Sequence, residues 1–147
     1  MLTVDDVRLY AKDTAEFNVL LEGDYQSTDE LIQLCLRLAV NDFNVVPPIS
    51  QYNVETFPSD TLLMYGVLHH LANGEAERQL RNNVNYNSQG VNAGLDDKFP
   101  QYNQLAQYYK QLFDMKIKEF KVQQNLEQAW GGSFSPYAGL NEWKFRG

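Results

Sequence analysis

The chain has one cysteine, Cys35, and two histidines, His69 and His70, among its 147 residues. A single thiol excludes an intrachain disulfide and a zinc site built on cysteines. The histidines are adjacent, so on a helix they point about 100° apart. Metal-binding pairs on helices stand three or four positions apart, and neither histidine has a carboxylate at that spacing. No metal site and no cofactor are expected. Basic residues are scarce, with 12 Lys and Arg against 19 Asp and Glu, a net charge of −7. That argues against a protein that grips nucleic acid by its phosphates, although a surface that DNA slides past needs no such grip. No apolar run approaches the roughly 20 residues of a membrane span. Met1-Leu2-Thr3 leads into Asp5-Asp6, not into a basic and then apolar run, so no signal peptide is expected.

Catalytic patterns are equally sparse. No glycine loop follows a strand, which removes a dinucleotide or phosphate cradle. The carboxylate pairs Asp5-Asp6, Asp29-Glu30 and Asp96-Asp97 each stand at a helix start, where the helix dipole favours acidic residues. A paired acid and base would need them buried and facing. Ser133-Phe134-Ser135 has no base beside it. Cys35 falls on an apolar helix surface with nothing to lower its pKa, as a packed structural thiol does. The expectation is a protein that is not an enzyme, with no catalytic, cofactor-binding or metal residues.

What the chain does have is an ordinary apolar fraction of 44%, with nine Tyr and eight Phe. That suffices for the core of one domain, and aromatics with a polar edge also suit interfaces. The pattern is mainly α. Thr3 caps a short helix through about Lys12, with Asp5 and Asp6 in its first turn. Residues 14–26 carry Phe17, Val19, Leu20 and Leu21 and stop at Gly23-Asp24. Ser27-Thr28-Asp29-Glu30 reads as a capping box, Ser27 with Glu30, opening a helix to about Phe43. Its residues Leu31, Ile32, Leu34, Cys35, Leu36, Leu38, Ala39 and Val40 wrap most of the circumference, which predicts the most buried helix of the fold. Val45-Val46-Pro47-Pro48 breaks it, and the chain to Phe57-Pro58 is expected to cross the domain as an ordered extended arm. Ser59-Asp60 caps a largely buried helix from about Thr61, in which Gly66 permits close contact and Gly74 marks a kink or an end. Residues 84–91 read as a small β-hairpin or ordered loop.

Pro100 opens a long last helix, ending near Trp130 because Gly131-Gly132 follows. One stripe on it is Tyr102, Leu105, Tyr109, Leu112, Phe113, Ile117 and Phe120, at the spacing of a buried face. A second is Tyr108, Met115, Val122 and Leu126 on a neighbouring face. A small domain covers one stripe with its own helices, so the second predicts cover by another chain. From Gly131 there is no helix period, and Phe134, Tyr137, Leu140, Trp143 and Phe145 are too apolar for a solvated linker. The organisation is therefore a helical bundle over residues 1–130 and an extended C-terminal docking arm over residues 131–147. Tyr108-Tyr109-Lys110 and Trp143-Lys144-Phe145-Arg146 combine rings with cations as base-stacking surfaces do. The overall acidity favours their burial against a protein. Residues 1–30 are acidic and the long helix carries Lys110, Lys116, Lys118 and Lys121, so an acidic front and a mildly basic back could meet head to tail.

This order of features resembles the small head-to-tail connector, or adaptor, proteins of tailed bacteriophages. The features that carry it are the capped apolar helix, the Val45-Val46-Pro47-Pro48 arm, the Phe57-Pro58-Ser59-Asp60 helix start, the Asn- and Gly-rich hairpin, the long terminal helix and the arm. The resemblance implies a virion neck ring, typically a dodecamer, assembled in the host cytoplasm beneath the portal protein. DNA would pass through its acidic channel without specific binding. It also implies a homo-oligomer with the portal and other neck or tail proteins as partners, no membrane, and no cofactor. Tyr108, Met115, Val122 and Leu126 would pack between subunits, and Phe134, Tyr137, Leu140, Trp143 and Phe145 would dock. The same residues fit a tail-completion ring subunit or a non-viral helical adaptor or scaffold.

Overall fold

The computed structural model describes the backbone of residues 1–82, 85–88, 91–94 and 98–145, and the side chains of residues 1–82 and 98–129. The fold is mainly helical: α1 (Val4–Ala11), α2 (Asp29–Val45), α3 (Asp60–Asn82) and α4 (Phe99–Phe145). The hairpin or ordered loop expected near 84–91 falls on residues whose side chains lie outside the described set. Its backbone carries two short antiparallel strands, β1 (Asn85–Ser88) and β2 (Val91–Gly94), with Asn85 opposite Gly94.

The Thr3 cap forms as expected. Its hydroxyl accepts from the Asp6 amide while Asp6 takes the Thr3 amide at 2.8 Å, a reciprocal capping box. Those bonds from Thr3 hold the Asp6 carboxyl below its ordinary pKa. Lys12 ends α1 in the left-handed region, at φ 57°. Residues 14–27 are then organised by a carboxylate. Asp13 is buried and accepts from Arg8 (3.2 Å), the Asn18 side-chain amide (2.6 Å), the Gln26 backbone (2.6 Å) and the Ser27 backbone (2.9 Å). Arg8, also buried, reaches Asp29 at 2.6 Å and lies 4.1 Å above the Tyr25 ring. A buried charge survives only when paired and hydrogen-bonded, and both are. This node displaces the expected cap of α2 by one residue. With its amide held by Asp13, Ser27 stays outside the helix, and Thr28 caps it by accepting from Leu31.

Buried positions of α2 are Ile32, Cys35, Leu36, Ala39, Val40 and Phe43. Leu31, Leu34 and Leu38 are exposed, so α2 is one-sided where a nearly all-round burial was expected. The reason is geometric: α3 lies across a single face, and no described element covers the other. The central helix is α3, which buries Leu62, Leu63, Met64, Gly66, Val67, Leu68, Ala72 and Ala76. It starts where Ser59 accepts from the Leu62 amide. At Gly66, a Cβ would stand 2.7 Å from Ala39 Cβ of α2 and 2.9 Å from the Phe113 ring of α4. Three helices therefore meet where one side chain is missing. Gly74, by contrast, does not end α3, and nothing lies within 4 Å of its missing Cβ.

Between α2 and α3 the chain does not cross the domain as an extended arm. It loops back, because the Asn44 side chain accepts from the Tyr52 amide (3.1 Å) and the Ser50 hydroxyl (3.1 Å) and donates to the Tyr52 carbonyl (2.8 Å). The loop thereby delivers Tyr52 and Phe57 to Phe43, at ring-centroid distances of 5.8 and 4.9 Å, with Phe120 of α4 at 5.5 Å. Tilted and edge-on packing of this kind adds to simple area burial.

Gly131-Gly132 was expected to end α4 and release an extended arm, but the helix continues to Phe145. A glycine lowers helix propensity by about 1 kcal/mol but keeps its backbone N–H and C=O, so Gly131-Gly132 does not force the helix to stop. The side chains of Phe134, Tyr137, Leu140, Trp143 and Phe145 lie outside the described residues.

The two helical glycines make opposite predictions. Gly66→Ala should cost about 1–3 kcal/mol through overpacking, despite alanine's higher helix propensity. Gly74→Ala, into open space, should stabilise by roughly 0.5–1 kcal/mol. Urea denaturation of the two variants beside the parent checks both signs.

Candidate functional site: an apolar seam on the long helix

The inner face of α4 packs Ala106, Phe113 and Ile117 into the core, with Tyr109 and Phe120 partly buried beside them. Met115 is two residues from both Phe113 and Ile117, about 160° away around the helix. It therefore points out of the bundle. Tyr108, Val122 and Leu126 share its side, and the four are 55%, 49%, 51% and 54% exposed in chain order from Tyr108 to Leu126. No described element of the domain covers this second stripe. The first stripe is corrected at one position: Leu105 is exposed, because it leans toward the outer seam. A groove of about 350 Å³ runs beside the seam, lined by Val46, Pro47, Ile117, Lys118, Lys121 and Val122.

Charge on this surface is more balanced than the sequence suggests. Lys110 pairs with Asp114 at 3.4 Å and Lys116 with Glu119 at 3.1 Å. Lys121 leaves the surface altogether at 2% exposure. Its ammonium donates to the Pro48 carbonyl (2.8 Å) and the Ser50 hydroxyl (2.7 Å) and stands 4.1 Å from the Phe43 ring centroid. Burial lowers its pKa. The expected basic back is therefore close to neutral, and one of its four lysines ties the 46–57 loop to α4. Periodicity reads position 121 as simply polar, and only the tertiary placement of the Pro48 carbonyl and Phe43 ring makes it internal.

The histidines stitch helices together. His69 donates Nδ1–H to the Ala106 carbonyl at 2.9 Å, across from α3 to α4. Burial lowers its pKa, aided by the nearby His70 and Lys110 and opposed by the Ala106 bond and Asp42. His70 Nε2 lies 2.8 Å from the Asp42 carboxylate of α2. Sequence spacing could not reveal that partner, because it comes from another helix. Among the described residues no three His, Cys, Asp or Glu gather as metal ligands. Burial pushes the Cys35 thiol up to about 11. A cleft of about 560 Å³ lies where Tyr10, Leu31, Leu71, Arg78, Tyr102 and Tyr109 approach. Among the described residues no helix is long and apolar enough to cross a membrane.

Comparison of the chain with protein-family models, with curated proteins and with solved structures returns no match.

A histidine whose folded pKa lies below its unfolded value stabilises the fold fully above that unfolded value, near 6.5. The unfolded chain binds the proton first as pH falls, so stability should drop below about pH 6.5. In His69→Gln the slope of unfolding free energy between about pH 5 and 7 should flatten. Urea titrations across that range check it.

Proposed function

We propose that this chain is a structural subunit of a tailed-bacteriophage virion neck, a ring member that joins the portal to the tail and surrounds the DNA path. The observation that carries the reading is the outer seam of α4, apolar along Tyr108, Met115, Val122 and Leu126 and left bare by every described element of its domain. A bare stripe on the side opposite the core is an interface waiting for a chain. The net charge of −7 supports a wall along which DNA moves without sticking. In this reading the seam packs between subunits, and residues 131–147 dock on a neighbour, the portal or the next ring. The docking contacts there are Phe134, Tyr137, Leu140, Trp143 and Phe145. The subunit catalyses nothing and holds no cofactor. Its mechanism is geometric, with each copy burying aromatic area at roughly 25 cal/mol per Å² before ordering costs, multiplied around the ring by avidity.

Native mass spectrometry of the full chain with and without a portal ring tests this. A discrete high-order assembly on the portal, lost when residues 131–147 are deleted while the helical signal persists, is the expected outcome. No portal binding by the full chain at roughly 100 µM would rule out any contact tighter than about −5.5 kcal/mol and end the reading.

A further inference from the structure

The seam has a period that specifies its occupant. Leu105, Leu112, Glu119 and Leu126 recur every seven residues, and Tyr108, Met115 and Val122 recur every seven between them, three positions on. These are the alternating core positions of a coiled coil, held over three heptads of α4, all of them exposed except Leu112, which is half-buried at the seam's edge. Such a repeat fits another helix of like repeat, packed alongside.

We infer that the α4 seam is covered by the same seam of a second copy, packed antiparallel. One register brings every apolar position onto an apolar partner but one. Tyr108 lies opposite Leu126 of the second copy, Leu112 opposite Val122, and Met115 opposite Glu119, each layer repeated by the twofold axis. From Tyr108 to Leu126 the layers span about 27 Å at 1.5 Å per residue. The exception, Glu119, decides the orientation. Lys116 and Lys118 flank it on the same helix, with Lys116 already 3.1 Å away. The antiparallel twofold falls opposite position 117, so each Glu119 meets Lys116 and Lys118 of the other copy as well as its own. A parallel pair would instead stack Glu119 on Glu119 in a core layer, where like charges repel. The contact is isologous and self-limiting, since two copies consume both seams.

This inference stands on α4 alone and goes beyond the neck-ring reading. If that reading holds, a polar ring needs the seam for a neighbour, and the antiparallel pair is the form of the subunit before it enters the ring. The pair then keeps unassembled copies from polymerising.

Two single-cysteine additions to the full chain test the geometry, Tyr108→Cys and Leu126→Cys. Both sites are exposed in one copy, and Cys35 is buried with a raised pKa and stays out of the reaction. Under mild oxidation, an equimolar mixture should yield the mixed 108–126 disulfide at least about tenfold above either variant alone, the discrimination one wrong-register layer gives. Glu119→Lys, which gathers like charges at the twofold, should weaken the dimer about tenfold or more in sedimentation equilibrium, with circular dichroism unchanged. Efficient self-crosslinking of Tyr108→Cys alone means a parallel pair and overturns the inference. So does a parent chain that stays monomeric to roughly 100 µM. A portal-bound ring with no 108–126 crosslink beforehand sinks this pairing and leaves the neck reading intact, whereas the crosslink without portal binding does the reverse.

Discussion

Everything in this bundle depends on one missing side chain. At Gly66 the axis of α3 comes close enough to α2 and α4 that a Cβ would overlap both Ala39 and Phe113. Helix axes normally stand 8–10 Å apart, with side chains deciding where in that range they settle. Removing a side chain at the crossing, and placing alanine opposite it, sets the closest approach. It also fixes which face of α4 is inner. With Phe113 locked against Gly66, Ala106 and Ile117 follow on the same side, and Met115 is forced outward. The exposed seam is therefore a geometric consequence of the core contact.

The connections obey a different rule. Each long connection near α2 is gathered around a buried charge, and the first also carries a short 3-10 turn at Val19–Leu21. Asp13 with Arg8 holds residues 14–27, and Lys121 with Asn44 holds the 46–57 loop. Burying an ion costs several kcal/mol unless its bonds are made, so such a node is weak evidence of net stability. Its effect is specificity: a carboxylate with four donors or an ammonium between a carbonyl and a hydroxyl fits one loop conformation. The apolar tip Val19–Leu21, left exposed by the first node, is consequently presented in a defined shape.

What the sequence could tell follows from which forces are local. The Thr3 cap, the Ser59 start of α3, the close approach at Gly66 and the two stripes of α4 were legible because caps and 3.6-residue periodicity act within a few positions. The errors share one cause. Ser27 lost the cap because its amide is claimed by Asp13, Leu31 and Leu38 are exposed because no described element covers that side of α2, and Lys121 is internal because a distant carbonyl awaits it. His70 finds Asp42 on another helix. Each depends on what a residue meets across the fold, and a periodicity argument contains no such information. The long α4 is the converse case, where the local signal of Gly131-Gly132 predicted an end near Trp130 and the helix runs on to Phe145.

The seam raises the question of why a domain would leave three heptads of apolar surface in water. Scattered exposed leucines need no explanation, but a contiguous stripe with a helical partner's period does. If stability alone had shaped α4, polar residues at Met115 and Val122 would cost the fold little, since both are about half exposed and neither belongs to the buried core. Glu119 points the same way. Within one copy it makes a surface pair with Lys116 at 3.1 Å, an interaction worth little by itself. Set in a core layer between two copies, the same carboxylate discriminates between orientations, which is the use to which a lone polar residue in an apolar seam is best suited. The residues that are idle in the monomer thus acquire a role together only when a second helix is laid along them.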